Sequence, residues 1–143
     1  MRVGKQFKQD KMSNEKNIQT VQQVYADFGN QNVEGVLNAF TDDVIWNDGN
    51  KPEIPYSKIR NGKNETMSFF MELGSTLAFT EFTPQEFYAD NDAVIVKGAF
   101  AGKAIATGKT FASEWVHIWK FRGDKIFGFQ AFNDTAALIA AVN

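Results

Sequence analysis

Apolar residues recur at three- and four-residue steps in the first half of the chain and at alternate positions in the second. Ile18, Val21, Val24, Tyr25 and Phe28 keep the helical step, which predicts an amphipathic helix from Asn14 to the Gly29-Asn30 stop. Val33, Val36, Leu37 and Phe40 predict a second, short helix, and Val44-Ile45-Trp46 a brief strand. From Asp48 to Gly62 the turn formers Gly49-Asn50, Pro52, Pro55 and Asn61-Gly62 read as a long loop. Loops of that length in a compact domain are often functional, for example as lids. Met67, Phe70, Met71 and Leu77 place a third helix over Asn64 to Leu77.

The remainder alternates. Strands are expected over 79–89, 93–101, 107–121 and 125–133, with turns at Asp90-Asn91-Asp92, Gly102-Lys103 and Arg122-Gly123-Asp124. A short closing helix follows, with Asp134 as its N-cap. Helices first and a long-stranded antiparallel sheet second give the α+β class. The strand ending at Phe121 is the most informative. Strand side chains alternate faces, so Trp115, His117, Trp119 and Phe121 share one side, and Glu114, Val116, Ile118 and Lys120 take the other. One side is an aromatic wall holding a titratable group. The other is an apolar patch with charged edges, which suits a homodimer built sheet to sheet.

A chain of 143 residues holds one domain with a real core. Residues 1–13 have no clear period and are expected to form a flexible extension, leaving 14–143 as the single domain. The net charge of −2 argues against nucleic acid, and the diluted basic run Arg2, Lys5, Lys8, Lys11 reads as a solvated terminus. No apolar run reaches the length of a membrane span and the start has no signal-peptide core, so a cytoplasmic location and no membrane partner are expected. There are no cysteines and one histidine, which excludes thiolate catalysis, cysteine-held zinc and multi-histidine metal sites. The 14 phenylalanines are unusual in so short a chain, and aromatics of that number often line cavities.

Phe40-Thr-Asp-Asp-Val-Ile-Trp46, Pro55-Tyr56 before Arg60-Asn-Gly62, Trp115-Val-His117, Gly123-Asp-Lys-Ile126 and Asn133-Asp-Thr135 stand in the order found in the NTF2-like superfamily. The chain resembles its SnoaL-like polyketide-cyclase and ketosteroid isomerase-like branch over roughly residues 15–142. The resemblance implies a cone, with three N-terminal helices packed into a strongly curved antiparallel sheet and a short C-terminal helix. It implies a homodimer and cofactor-independent chemistry on a small apolar or aromatic carbonyl compound. The superfamily also contains pure binding modules, so a non-catalytic small-molecule-binding or dimerisation role stays open.

Asp48 falls on the catalytic base of the ketosteroid isomerase segment when counted from Phe40 and the Asp42-Asp43 pair. A carboxylate facing an aromatic cavity has its pKa raised by desolvation and can shuttle a proton between carbons. An Asx turn with Gly49 is the bland alternative. The isomerase's oxyanion-hole tyrosine falls at Val24, with Tyr25 beside it, and its protonated aspartate at Val116 or His117. Face alternation favours His117, whose neutral ring would donate a hydrogen bond to an enolate; a core histidine bonded to a carbonyl is the alternative. Tyr25 is the second donor candidate, or a core tyrosine. Trp46, Trp115, Trp119 and Phe28 are expected as cavity wall and Tyr56 over the cavity mouth; where the cyclases carry a late-strand aspartate this chain offers Gln130 and Asn133, of which Gln130 is expected as a ligand contact. Arg2, Arg60 and Arg122 fall in tail, loop and turn, which disfavours the Asp/Arg/Asp arrangement of the epoxide hydrolases.

Overall fold

The computed structural model describes the backbone of residues 2–143, and all their side chains except those of residues 2–7 and 9. Arg2 and Lys5 of the basic run thus lie outside the described side chains. In chain order the elements are α1 (Arg2–Gly29), α2 (Val33–Asn38), β1 (Phe40–Asn47), β2 (Ile59–Asn61), α3 (Gly62–Thr76), β3 (Leu77–Asp90), β4 (Ala93–Ala104), β5 (Thr110–Arg122), β6 (Lys125–Asn133) and α4 (Thr135–Val142). The six strands form one sheet in the order β2-β1-β6-β5-β4-β3. α1 packs on β3 and β4, and α3 on β1. The α+β class and the three helices ahead of the long strands are as expected.

The sheet is mixed rather than purely antiparallel. β1 pairs parallel with β6, because the chain runs through β2, α3 and the three long strands β3, β4 and β5 before β6 returns beside it. Its other pairings are antiparallel. Bulges break the β3–β4 register between Phe79 and Glu81 and between Pro84 and Glu86. Such insertions bend a strand, which curls this end of the sheet around the helices.

β5 alternates as its sequence predicts. Phe111, Ser113, Trp115, His117, Trp119 and Phe121 are buried, whereas Glu114 and Lys120 are exposed. Inside, α1 contributes Val21 and Val24, and α3 contributes Phe69 and Leu73. Asp134 caps α4, its Oδ1 accepting from the Ala137 amide at 3.1 Å.

Three local expectations change. α1 begins at Arg2 rather than near Asn14, although Lys8 and residues 10–13 stay exposed. Gly102 is not a turn. It lies inside β4, where any Cβ would run into the Ala78 carbonyl, so glycine lets β4 hug the bulged β3 and the turn comes later, around Gly108 (φ +72°). The 48–58 segment is not a free lid either. Ser57 Oγ donates to the Asp48 carbonyl (2.9 Å) and accepts from the Lys51 amide (3.0 Å), while Ile54 and Tyr56 are 3% exposed. The segment is pinned by two apolar anchors.

Candidate functional site

Strand register brings the two sharpest candidates to one place. Trp46 pairs with Phe129, and Phe129 with Trp119, which makes an inward row of aromatics. Asn47 pairs with Gln130 in the parallel ladder, so Asp48 comes next to Ala131, and Ala131 pairs with His117. Neighbouring strands lie about 4.8 Å apart, so two strand spacings, about 10 Å, separate the Asp48 and His117 backbones. Above this row lies a cavity of about 590 Å³, counting its open mouth. Asp48, His117, Trp46, Trp119, Phe129 and Asn133 line it from the sheet side, with Tyr56 from the pinned segment. Val24, Tyr25 and Phe28 of α1 and Phe69, Phe70 and Leu73 of α3 close it opposite.

Among the described residues no side chain or amide bonds the Asp48 carboxyl. Burial pushes its pKa up to about 7, and the Arg60 guanidinium pulls more weakly the other way. Asp48 therefore exchanges its proton near neutrality. His117 is pushed down to about 3 by burial, so its ring is neutral at ordinary pH. Its Nδ1 lies 2.7 Å from the Tyr25 hydroxyl, and Trp119 Nε1 donates to the same hydroxyl at 3.0 Å. Burial also raises Tyr25, which keeps its proton, the Trp119 hydrogen bond opposing this only in part. Trp115 stacks on the imidazole at 3.9 Å and fixes its plane. Among the described residues nothing bonds His117 Nε2 or the Asn133 side-chain amide, and both residues face the cavity. The site thus offers a proton acceptor and a hydrogen-bond donor across an apolar floor.

Of the expected site residues, Asp48, His117, Tyr25, Trp46, Trp119, Tyr56 and Phe28 meet around this cavity. Tyr56 is wall rather than mouth, set edge-on to Phe69 with ring centres 6.0 Å apart. Trp115 and Gln130 depart from expectation as well. Trp115 is not among the residues lining the cavity; it stacks on His117 and supports it. Gln130 is exposed on the outer face, opposite Ile118, because Phe129 and Ala131 take the inward positions on β6. The same parity puts Asn133 and Phe129 on the inward side, so of the two residues offered in place of the cyclase aspartate Asn133 is the one at the cavity, and Phe129 is the wall residue that sequence reasoning missed. Arg60 was also misplaced. It is buried in the middle of β2, opposite Trp46, not in a loop.

The sequence profile of the SnoaL-like domain family matches residues 21–129. The chain belongs to the SnoaL-like family. No curated protein matches this SnoaL-like domain. Among solved structures it is similar to an NTF2-like protein from Burkholderia xenovorans, with 25% identity, TM-score 0.83, and 91% of this chain and 98% of the other covered. An NTF2-like protein from Burkholderia pseudomallei gives 27% identity and TM-score 0.81 over 90% of this chain and 98% of the other. A protein of ketosteroid isomerase-like fold from Catenulispora acidiphila shares that fold at 15% identity, TM-score 0.71, over 86% and 91%. No described helix of the SnoaL-like domain is long and apolar enough to cross a membrane.

Proposed function

We propose that this SnoaL-like domain binds a small apolar or aromatic carbonyl compound in its cavity and catalyses cofactor-independent proton transfer on it. The observation that carries this reading is that Asp48 and His117, an unpartnered carboxyl and a neutral imidazole, line one apolar space. Asp48 removes a proton from the carbon beside the carbonyl, and the electron pair moves onto oxygen as an enolate. His117 Nε2–H donates to that oxygen. Return of the proton to another carbon gives isomerisation; attack of the enolate carbon on a second carbonyl gives ring closure, with the alkoxide taking the proton from Asp48.

Tyr25 serves through His117 in this scheme. Trp119 is a donor only, so it occupies a lone pair of the Tyr25 oxygen and leaves the hydroxyl proton for Nδ1. That bond assigns the imidazole proton to Nε2, on the ligand's side. The test is exchange of the α-protons of enolisable ketones and lactones in deuterated water, followed by proton NMR. The wild-type domain should exchange at least one such compound and Asp48→Asn should lose about two orders of magnitude or more. Equal rates in the two proteins would overturn the role of Asp48.

One feature favours a second reading, a binding module without chemistry. The Tyr25 hydroxyl is already engaged by Trp119 and His117, leaving one donor for an oxyanion where the isomerases use two. Ligand binding without proton exchange by either protein would support that reading. Both readings include a homodimer through the outer sheet face. There Tyr88 pairs with Ile95, Ile95 with Ile118, and Val116 with Phe132, making an apolar strip edged by the Lys97–Glu114 ion pair (3.3 Å).

A further inference from the structure

Arg60 is a buried charge that the scheme above leaves unused. Its side chain is 5% exposed. Nη1 donates to Ser68 Oγ (2.6 Å) and to the Glu65 carbonyl (3.4 Å), and Nη2 donates to the Tyr56 carbonyl (3.3 Å) and to Glu72 Oε2 (3.0 Å). Nε is buried with no acceptor among the described residues. The guanidinium lies over the ring of Phe69, a cavity wall residue, at 5.8 Å. Every donor that is engaged points toward α3 or the pinned segment. None reaches Asp48.

That direction matters for the carboxyl in the cavity. A buried guanidinium needs a carboxylate partner, because an unpaired charge away from water is strongly disfavoured. Glu72, on α3, fills that need. Its other oxygen lies 3.7 Å from Lys58 Nζ, a solvent-exposed contact, and the Arg60 hydrogen bond is the one that fixes it. The Arg60 charge already pulls the Asp48 proton affinity down, and without the Glu72 carboxylate that pull would be stronger, which would make Asp48 a weaker base.

We propose that Glu72 and Arg60 form a positioning pair that holds the Arg60 charge off Asp48 and so leaves Asp48 free to take and return a proton. The inference rests on the acid–base reading of Asp48. Other titratable groups face Asp48 from each neighbouring element: Tyr56 from the pinned segment, His117 from β5 and Tyr25 from α1, with Glu72 and Lys58 behind Arg60. Burial keeps both tyrosines protonated, helped at Tyr56 by the Asp48 charge, and keeps His117 neutral. Arg60 is thus the fixed charge whose field reaches Asp48, and Glu72 offsets it.

The test reads the proton on Asp48 directly and needs no substrate. The full chain is labelled with 13C at the aspartate carboxyls and titrated by NMR, the Asp48 signal being assigned by its loss in Asp48→Asn. In Glu72→Gln the midpoint of Asp48 should fall by about one pH unit, because the Arg60 charge is no longer offset. In Arg60→Met it should rise. Glutamine at 72 still accepts from Arg60, so Glu72→Gln keeps the fold and decides the matter even if Arg60→Met does not fold. An unmoved midpoint in Glu72→Gln overturns the proposal, since a merely structural pair would change stability without moving it. The α-proton exchange profile separates the two claims. A shifted midpoint with no exchange by any probe would keep the pair and sink the enzyme reading; exchange with an unmoved midpoint would do the reverse.

Discussion

Replacing Asp48 by asparagine should make the folded protein markedly more sensitive to acid. The reason lies in two buried groups whose proton affinities are shifted in opposite senses. His117 titrates at about 3 when folded against 6.5 ordinarily. As pH falls through 6.5 the unfolded chain takes up a proton that the folded one refuses, and stability is lost at about 1.4 kcal/mol per pH unit. Asp48 titrates at about 7 when folded against 3.8 ordinarily. Between those values the folded chain holds a proton that the unfolded one has released, so falling pH adds stability at the same rate of about 1.4 kcal/mol per unit. The two effects oppose each other from about pH 6.5 down to about 4, where the wild-type contribution of this pair is nearly flat.

Asp48→Asn removes one side of that balance. Over about 2.5 pH units the variant should lose about 3 kcal/mol relative to wild type. Urea unfolding followed by tryptophan fluorescence at several pH values measures this, since Trp46, Trp115 and Trp119 are all buried. Subtracting the two curves cancels every other titrating group. Parallel curves would refute the reasoning, because they would mean that Asp48 binds its proton no differently folded and unfolded.

His117→Phe in the same series should invert the slope, with stability rising as pH falls, because only the Asp48 contribution remains. Tyr25→Phe keeps the ring but strands His117 Nδ1 and Trp119 Nε1, and should cost about 2–4 kcal/mol by urea unfolding. Gly98→Ala places a methyl group against the Trp115 ring and the Thr83 carbonyl, so it should cost about 1–3 kcal/mol and weaken ligand binding by displacing the support of His117. Ile118→Glu introduces charge on the outer strip without touching the cavity; if the proposed homodimer forms there, light scattering should read a dimer for wild type and a monomer for the variant.

The legible parts of this molecule were those governed by period and parity. The heptad-like step of Val21, Val24 and Phe28 marked α1, and the alternation of Trp115, His117 and Trp119 marked an inward face. Where parity was set aside in favour of resemblance, the reading failed. Gln130 was placed in the cavity because relatives carry a functional residue near it, though Phe129 and Ala131 beside it are the inward pair. Arg60 was hidden for another reason. Flanking turn formers concealed a three-residue strand, and the Glu72 partner that makes its burial tolerable lies 12 positions away on α3. Gly102 read as a turn because glycine serves both turns and close backbone approach, and only the β3 bulge distinguishes them. Pairing of Asp48 with His117 depends on the parallel β1–β6 ladder, a long-range contact that no local pattern encodes.

The most direct test is a crystal structure of the domain soaked with 2-naphthol, a flat aromatic alcohol that stands in for an enol. The ring should lie in the cavity between Asp48 and His117, its oxygen within about 3 Å of His117 Nε2 and its edge against the Asp48 carboxyl. A naphthol seated with its oxygen away from His117, or a cavity that stays empty at saturating ligand, would contradict it.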